Sequence, residues 1–513
     1  MLTKRIMLNV PASSEPRAEC NAPSNGIFRE RESRMRRVLS GVILVCGLMA
    51  SPFVAAQSDN ESRPNVLFIA VDDLRPQLNC YGRTMMQTPH IDQLAARGVL
   101  FERAYCMVPT CGASRAALMT SVRPTPDRFR NYLTWAEKDA PDAVPINSHF
   151  RRNEYTTISL GKVFHHRADC VEGWSEPPWR SKKSSYQKME QFRKDVAAHR
   201  RQYPGKSRHR GAPFEAAPAP DADYPDADCA TRATEYLERF AKEPSQPFFL
   251  AVGFLKPHLP FNAPQQYWDL YEHEAIQLPD NYHAPRDAPK AALHNSGELR
   301  AYAGIHPNRP VDEATARNLI HGYYACVSFI DAQVGRLMDS LDELGLAENT
   351  VVVLWGDHGW QLGEHGMWNK HSCFETSMHA PLIVVAPQST GARRGSRVSA
   401  LTEFIDIYPS LCELCDLPIP AHVQGTSFVG LLRDPEAEWK EFAVGRFQSG
   451  DTIRSATHRY SEYSSRSGSV TDRMLYDHTL DPAENINIAG DASAGDTIRQ
   501  LSNSLSDIRK PDE

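Results

Sequence analysis

Two pairs of side chains stand where a parallel sheet would deliver ligands. The run NVLFIAV (65–71) leads into Asp72 and Asp73, and TVVVLWG (350–356) leads into Asp357 and His358. Both runs have the length and β-branched content of buried strands. Ligands of open parallel sheets bind outside the carboxyl ends of the strands, so two separate strands can aim these four side chains at one point. Three carboxylates meeting there repel one another unless a cation holds them. Oxygen-rich ligation selects calcium or magnesium, and the larger, more tolerant calcium shell suits a mixed carboxylate and imidazole set. A single Asp after a strand is an ordinary turn or cap residue. The doubled arrangement is what points to a metal.

A thiol opens the segment CGASRAALMT (111–120). A helix starting just after Cys111 turns its free N–H groups and positive dipole end toward whatever the side chain touches, which favours an anion there. Arg115, one turn on, adds a planar fork suited to oxyanions. Three readings fit this setting: an anion site, a thiolate nucleophile of lowered pKa, and a buried structural cysteine.

The elements that must position these groups follow the same rhythm. TTISLGK (156–162), PFFLAVGF (247–254) and APLIVVAP (380–387) are further buried-strand runs. They predict an α/β domain with a large, mostly parallel central sheet flanked by helices. Tyr323, Val327, Ile330, Val334, Leu337, Leu341 and Leu344 recur in steps of four and three and stop at Gly345, which predicts a long helix packed on that sheet. Residues 166–228 break the rhythm. Their part from Glu176 to Arg210 holds eleven Lys or Arg against three acids and reads either as a lid that attracts a polyanion or as a solvated insertion. From residue 436 the pattern changes to short polar strands such as EFAVGRF and HRYSEYSS, expected to form a small α+β C-terminal subdomain (436–513) after a catalytic domain at 57–435.

At 513 residues, 41% hydrophobic and 23% charged, the chain has globular composition, and a formal charge of -6 argues against nucleic acid as a partner. RMRRVLSGVILVCGLMASPFVAAQ (34–57) has a charged start, an apolar stretch from Val38 to Ala50, and small residues Val54 and Ala56 spaced for cleavage. Residues 1–56 therefore read as a leader and signal peptide, with Met35 as an alternative start. The mature protein is expected to be exported, periplasmic or secreted, with no stable membrane span after cleavage. Eleven cysteines leave nine after the cut, since Cys20 and Cys46 precede it. An odd number in an exported chain flags special chemistry, and several buried free thiols explain it equally well. Cys412 and Cys415 lack a second ligand pair and read as core residues rather than a zinc site.

The motifs VDDLRPQLNCYG, TPHIDQLAARGVLFERAYC, CGASRAALMTSVRP, SLGKVFHH, VGFLKPHLPF, LWGDHGWQLGEHGMWNKHS and HAPLIVVAP occur in this order. Together they resemble the type I sulfatases of the alkaline phosphatase superfamily, most of all the iduronate-2-sulfatase branch, over roughly residues 63–432. The resemblance implies an alkaline phosphatase-like fold. It implies that a formylglycine-generating maturation enzyme oxidises Cys111 to formylglycine, whose hydrated aldehyde is the nucleophile. Asp72, Asp73, Asp357 and His358, with residue 111, would hold one calcium ion, and Arg115 would steady the hydrate and the acids. Lys162 would clamp sulfate, and His165 would act as the base that lets the aldehyde reform. His258 and Lys370 would flank the ester oxygen and help the departing alcohol take a proton. Alone, each such His or Lys reads as a surface or capping residue; the matched contexts reverse that reading.

His166, Lys256, His365 and His371 adjoin the matched positions with no role beyond orientation or substrate contact, and Trp360 and Trp368 either stack on a sugar ring or pack loops. Ala113 stands where the family has proline, and Ser121 where it has glycine. The expected activity is hydrolysis of O-sulfate esters of carbohydrates, with a 2-O-sulfated uronic acid as substrate. Two rivals remain: a phosphoesterase on the same framework, and a secreted sulfated-glycan-binding protein, silent because Ala113 blocks maturation. A disulfide between Cys170 and Cys229 would staple the basic insertion at both ends.

Overall fold

Seven strands make the central sheet of the computed structural model, which describes residues 63–205 and 209–509. In chain order they are β1 (Asn65–Val71), β2 (Val99–Phe101), β3 (Thr156–Gly161), β4 (Phe248–Phe254), β5 (Thr350–Gly356), β6 (Leu382–Val385) and β7 (Ser396–Val398). Their order across the sheet is β7-β2-β6-β5-β1-β4-β3. β1 runs parallel to both β4 and β5, and β3 parallel to β4. β1 and β5 are apolar on both faces and buried on both, as strands covered by helices must be. The leader and signal segment expected at residues 1–56 lies outside the described residues. Among the described residues no helix is long and apolar enough to cross a membrane.

The register of the central pair aligns the site. Val71 lies opposite Gly356, and the Asp357 N–H donates to the Val71 carbonyl at 3.1 Å. Asp72 and Asp357 therefore leave the sheet side by side. β6 departs from the expectation of a parallel strand: it runs antiparallel to β5 and to β2. The connection from β5 to β6 holds a short two-stranded ribbon, a 3₁₀ turn and the four-residue helix Glu375–Met378, not the long crossover helix that usually joins parallel neighbours. An apolar run carries no signal for its direction.

Helices cover both faces. α1 (Cys111–Thr120), with every residue buried, packs on the face that presents Val66, Phe68 and Ala70. Gly112 is required in its first turn, because a Cβ there would strike the backbone carbonyl of Tyr132. α2 (Pro225–Phe240) and α3 (Glu313–Glu343) pack on the opposite face with Leu67, Ile69 and Val71. α3 is the helix read from the four-and-three stripe. Asp312 caps it by accepting from the Thr315 N–H at 3.0 Å, and Gly345 ends it at φ +69°.

The C-terminal part is a meander of β8 (Ala443–Phe447), β9 (Gly450–Arg454), β10 (His458–Ser464) and β11 (Val470–Asp477), followed by α4 (Gly495–Arg509). Ala443, Ile453, Tyr460, Leu475 and Leu501 belong to the same buried cluster as the α1 face. Buried Glu403 ties the two together: it accepts from the Val444 N–H at 2.9 Å and pairs with Arg123 and Lys440. In the basic insertion, the helix Met189–Gln202 buries only His199, which fits a solvated insertion. All nine cysteines of the described residues are free, which excludes the Cys170–Cys229 bridge. Cys170 lies on the Asp169 carboxylate at 3.3 Å, while the Cys229 thiol packs against Gly161. Cys412 and Cys415 are buried core thiols, as their spacing suggested.

Candidate active site

The carboxyl ends of β1 and β5 place Asp72, Asp73, Asp357 and His358 within full burial. Asp73 adopts φ +59°, a left-handed turn that Asp tolerates better than most residues. That turn sends its N–H to Asp357 Oδ1 at 2.9 Å, while its carbonyl accepts from the Tyr323 hydroxyl at 2.8 Å. Tyr323 belongs to the apolar stripe of α3, yet its hydroxyl fixes the turn that carries a functional acid.

The Cys111 thiol opens α1 directly beneath these groups, only 3% exposed. It lies 3.4 Å from His358 Nε2 and 3.9 Å from Asp73 Oδ1. The ligand atoms of Asp72, Asp73, Cys111 and His358 all fall within 4.8 Å of one another. His358 Nδ1 is 3.0 Å from the Gly359 carbonyl; that contact places a proton on Nδ1 and turns Nε2 toward the acids. Asp357 stands one step out. Its Oδ1 is 3.5 Å from His358 Nε2, and its Oδ2 accepts from Arg115 Nε at 2.9 Å. Asp72 Oδ1 is buried without a hydrogen-bond partner. Four buried acid and imidazole side chains, one with a carboxylate oxygen that accepts no hydrogen bond and meets only the Arg115 guanidinium at 3.7 Å, suit a hard divalent cation.

Cations ring this acidic centre. Lys162 Nζ bonds Asp72, and Lys370 Nζ bridges Asp73 at 2.9 Å and Glu298 at 3.0 Å while sitting 4.8 Å over the Trp360 ring. Burial opposes ionisation of Asp72, but Lys162, His258, Arg115 and Lys370 outweigh it and hold that carboxyl well below its usual range. At Asp73 burial prevails over Lys370, and the carboxyl is raised. Burial, reinforced by Asp72, pushes the Cys111 thiol well above its usual value, which removes the thiolate reading of this residue for the thiol as it stands. Arg115, fully buried, also donates to the Lys162 and Val163 carbonyls, so it links α1 to the loop that carries Lys162.

His165 lies farther along that loop. Burial drives it down to about 3, with Lys162 adding to the effect, and its Nδ1 has no partner. His258 Nδ1 meets the Leu259 carbonyl at 2.6 Å, and Nε2 meets Glu298 at 3.0 Å and Asp73 at 4.0 Å. Both nitrogens thus face acceptors, an arrangement that only a doubly protonated ring satisfies on both sides. Lys256 shapes the same loop by donating to the His258 and Pro260 carbonyls. The other neighbours have structural contacts: His166 stacks on Trp135 at 4.4 Å, His365 meets the Ala483 carbonyl at 2.9 Å, and His371 stacks on Phe447 at 5.4 Å. Trp360 and Trp368 are buried and pack loops.

Glu298 is the group that the sequence did not offer. It joins His258 and Lys370 through one carboxylate, from a stretch of short 3₁₀ turns with no periodic pattern. Those two cations outweigh burial and hold its carboxyl well below the usual range. Glu298→Gln keeps the volume and removes the charge that holds both partners. The variant is expected to lose roughly tenfold to a hundredfold in kcat with an aryl sulfate, the range seen when a group supporting active-site residues is removed. An unchanged kcat in steady-state assays would show that His258 and Lys370 hold their places without it.

A mixed α/β sheet that gathers buried acids at its strand ends is the architecture of alkaline phosphatase-like hydrolases. The structure is similar to that of the phosphonate monoester hydrolase of Agrobacterium radiobacter, with a TM-score of 0.70 at 22% identity over 87% of this chain and 95% of that one. It is also similar to a structure solved with its substrate D-glucosamine-2-N,6-O-disulfate, at TM-score 0.69, 21% identity, and 87% and 97% coverage. Residues 64–417 match the Sulfatase family model, and residues 363–511 match the model described as N-sulphoglucosamine sulphohydrolase, C-terminal. The chain belongs to the sulfatase family and is a sulfuric ester hydrolase. It is 33% identical over 453 residues to a sulfatase of Formosa agariphila, covering 86% of this chain and 85% of that protein. It is 32% identical over 428 residues to iduronate 2-sulfatase of Mus musculus, covering 76% of each.

Proposed function

We propose that this chain, after export, hydrolyses O-sulfate esters of carbohydrates, with a 2-O-sulfated uronic acid as its substrate, through formylglycine formed from Cys111 and one calcium ion. The observation that carries the reading is the convergence of Asp72, Asp73, Cys111 and His358 within 4.8 Å, enclosed by Lys162, Lys370 and His258. Support for the uronate comes from the identity to iduronate 2-sulfatase across three quarters of the chain, 76% by coverage. The charged, apolar and small-residue succession at residues 34–57 supports export.

Asp72, Asp73, Asp357 and His358, with residue 111, would hold the cation, which supplies charge neutralisation on the sulfate and polarises residue 111. Formylglycine supplies a hydrated aldehyde as nucleophile, and an oxygen-bearing side chain at 111 suits this hard donor set better than a neutral thiol does. The protein's own groups do the rest. Arg115 fixes Asp357 and the loop of Lys162. Lys162 and Lys370 present ammonium groups to the sulfate oxygens. His258 donates from Nε2 toward the departing alcohol oxygen, and His165, held neutral, accepts a proton at Nδ1. The net reaction consumes one water and releases the alcohol and sulfate.

The test has two arms on protein made with a maturation enzyme. The mass of the tryptic peptide carrying residue 111 is expected to show an aldehyde in place of the thiol. A panel of defined sulfated saccharides is expected to show the highest kcat/KM for a terminal 2-O-sulfated uronate. Conversion without turnover of any saccharide overturns the carbohydrate reading, and tight glycan binding with an unconverted Cys111 would identify a silent binding protein.

A further inference from the structure

A cavity of about 1230 Å³ opens between the segment 125–131 and the C-terminal sheet, lined by Arg130, Arg446, Arg466 and Arg509. Arg446 projects from β8 and is only 7% exposed. Its Nη2 donates to the Gln448 carbonyl at 3.0 Å, its Nε lies 3.5 Å from Asp451, and its Nη1 has no partner. Arg509, at the end of α4, reaches the other oxygen of Asp451 at 3.0 Å, so one carboxylate serves two guanidiniums. Glu462, also on the wall, is engaged by the Tyr460 and Ser502 hydroxyls at 2.8 and 2.5 Å, and Asp127 is exposed at the rim. Arg130 and Arg466, both exposed, form no ion pair among the described residues. Burial lowers Arg446 against the pull of Asp451, and the charges of Arg509 and Arg130 add to the lowering. A buried donor without a partner, among like charges, favours an incoming oxyanion.

The cavity is linked to the catalytic groups through residues on its wall. Val108, three residues before Cys111, lines it, as does Phe447, whose ring stacks on His371. Asn131 on its wall adjoins Tyr132, whose ring is 6.1 Å from that of His165.

We propose that this arginine-lined cavity binds a second anionic group of the substrate, a sulfate or carboxylate on a sugar residue neighbouring the one that loses its sulfate, and so selects oligosaccharides over single sugars. The proposal rests on the carbohydrate reading above. Four guanidiniums, of which only Arg446 and Arg509 are engaged by a carboxylate, that of Asp451, provide the charge, and their fork geometry matches sulfate and carboxylate alike. The volume accommodates a sugar residue with its substituent.

The double variant Arg130→Gln, Arg509→Gln tests it, because both side chains reach solvent and leave buried Arg446 in place. With a sulfated tetrasaccharide, kcat/KM is expected to fall about tenfold to a hundredfold, carried by KM, the size expected for lost hydrogen bonds between charged groups. With 4-nitrophenyl sulfate it is expected to stay unchanged. Equal losses on both substrates, or no loss on the tetrasaccharide, overturn the proposal. If the unaltered protein turns over 4-nitrophenyl sulfate but no saccharide, the carbohydrate reading has failed, and calorimetric titration of the tetrasaccharide then decides about the cavity. Binding weakened about tenfold by the double variant supports it, and equal binding overturns it. Inorganic sulfate is titrated in parallel; dependence of its binding on Arg130 and Arg509 as strong as that of the tetrasaccharide would mark a free-oxyanion site and overturn the oligosaccharide assignment.

Discussion

Replacing Cys111 with alanine is expected to lower kcat for a sulfate ester by about 10⁴-fold or more, a loss typical of removing a nucleophile. Stability should change little. The side chain is small, and its contacts are polar ones to His358 and Asp73 rather than apolar packing. The measurement pairs steady-state kinetics with a thermal midpoint; a variant that folds and retains more than a few per cent of activity would remove residue 111 from the chemistry. Ala113 bears on the same experiment. It is the third residue of α1 and fully buried, in a first turn whose N–H groups lack intrahelical partners, so a proline there would cost the helix no hydrogen bond. On the proposed reading the position acts through the conversion of Cys111, and Ala113→Pro is expected to raise the fraction of the 111 peptide that carries an aldehyde.

The parts of this site that were legible in the sequence share a physical cause. Asp72 and Asp357 follow apolar runs long enough to be read as buried strands, and the parallel register of β1 with β5 makes their adjacency a consequence of sheet geometry. α3 was legible because its stripe persists over many turns. What escaped depends on tertiary contact alone. β2 has three residues, too few for a period, and β6 reads as a strand without a direction. Glu298 sits among short turns and gains meaning only where His258 and Lys370 arrive from distant segments. Tyr323 matched the apolar stripe and was legible as packing, yet its hydroxyl binds the Asp73 turn. The Cys170–Cys229 bridge failed for the same reason: sequence separation describes the ends of the insertion, not the direction in which either thiol points.

Chelation of the divalent cation is expected to reduce kcat by about 10³-fold or more, since Lewis-acid stabilisation of developing charge contributes several kcal/mol. It should lower the thermal midpoint far less than the loss of activity suggests. Asp72 and Asp73 have counter-charges of their own in Lys162 and Lys370, so the acids stay partly compensated when the cation leaves. Calcium is expected to restore activity more fully than magnesium, because an imidazole and several carboxylates from rigid strand ends suit a larger and less regular shell. The lysines supply the decisive control. Lys162→Ala takes a partner from Asp72, and Lys370→Ala takes one from both Asp73 and Glu298; breaking a buried ion pair on one side destabilises a fold by about 3–5 kcal/mol. The cation must then offset more of the repulsion, so the chelator-induced fall in thermal midpoint should grow by several degrees in either variant, at roughly 2–4 °C per kcal/mol for a large domain. Activity that survives exhaustive chelation, together with midpoint shifts equal in all three proteins, would mean that the lysines alone neutralise the acids and that no metal takes part.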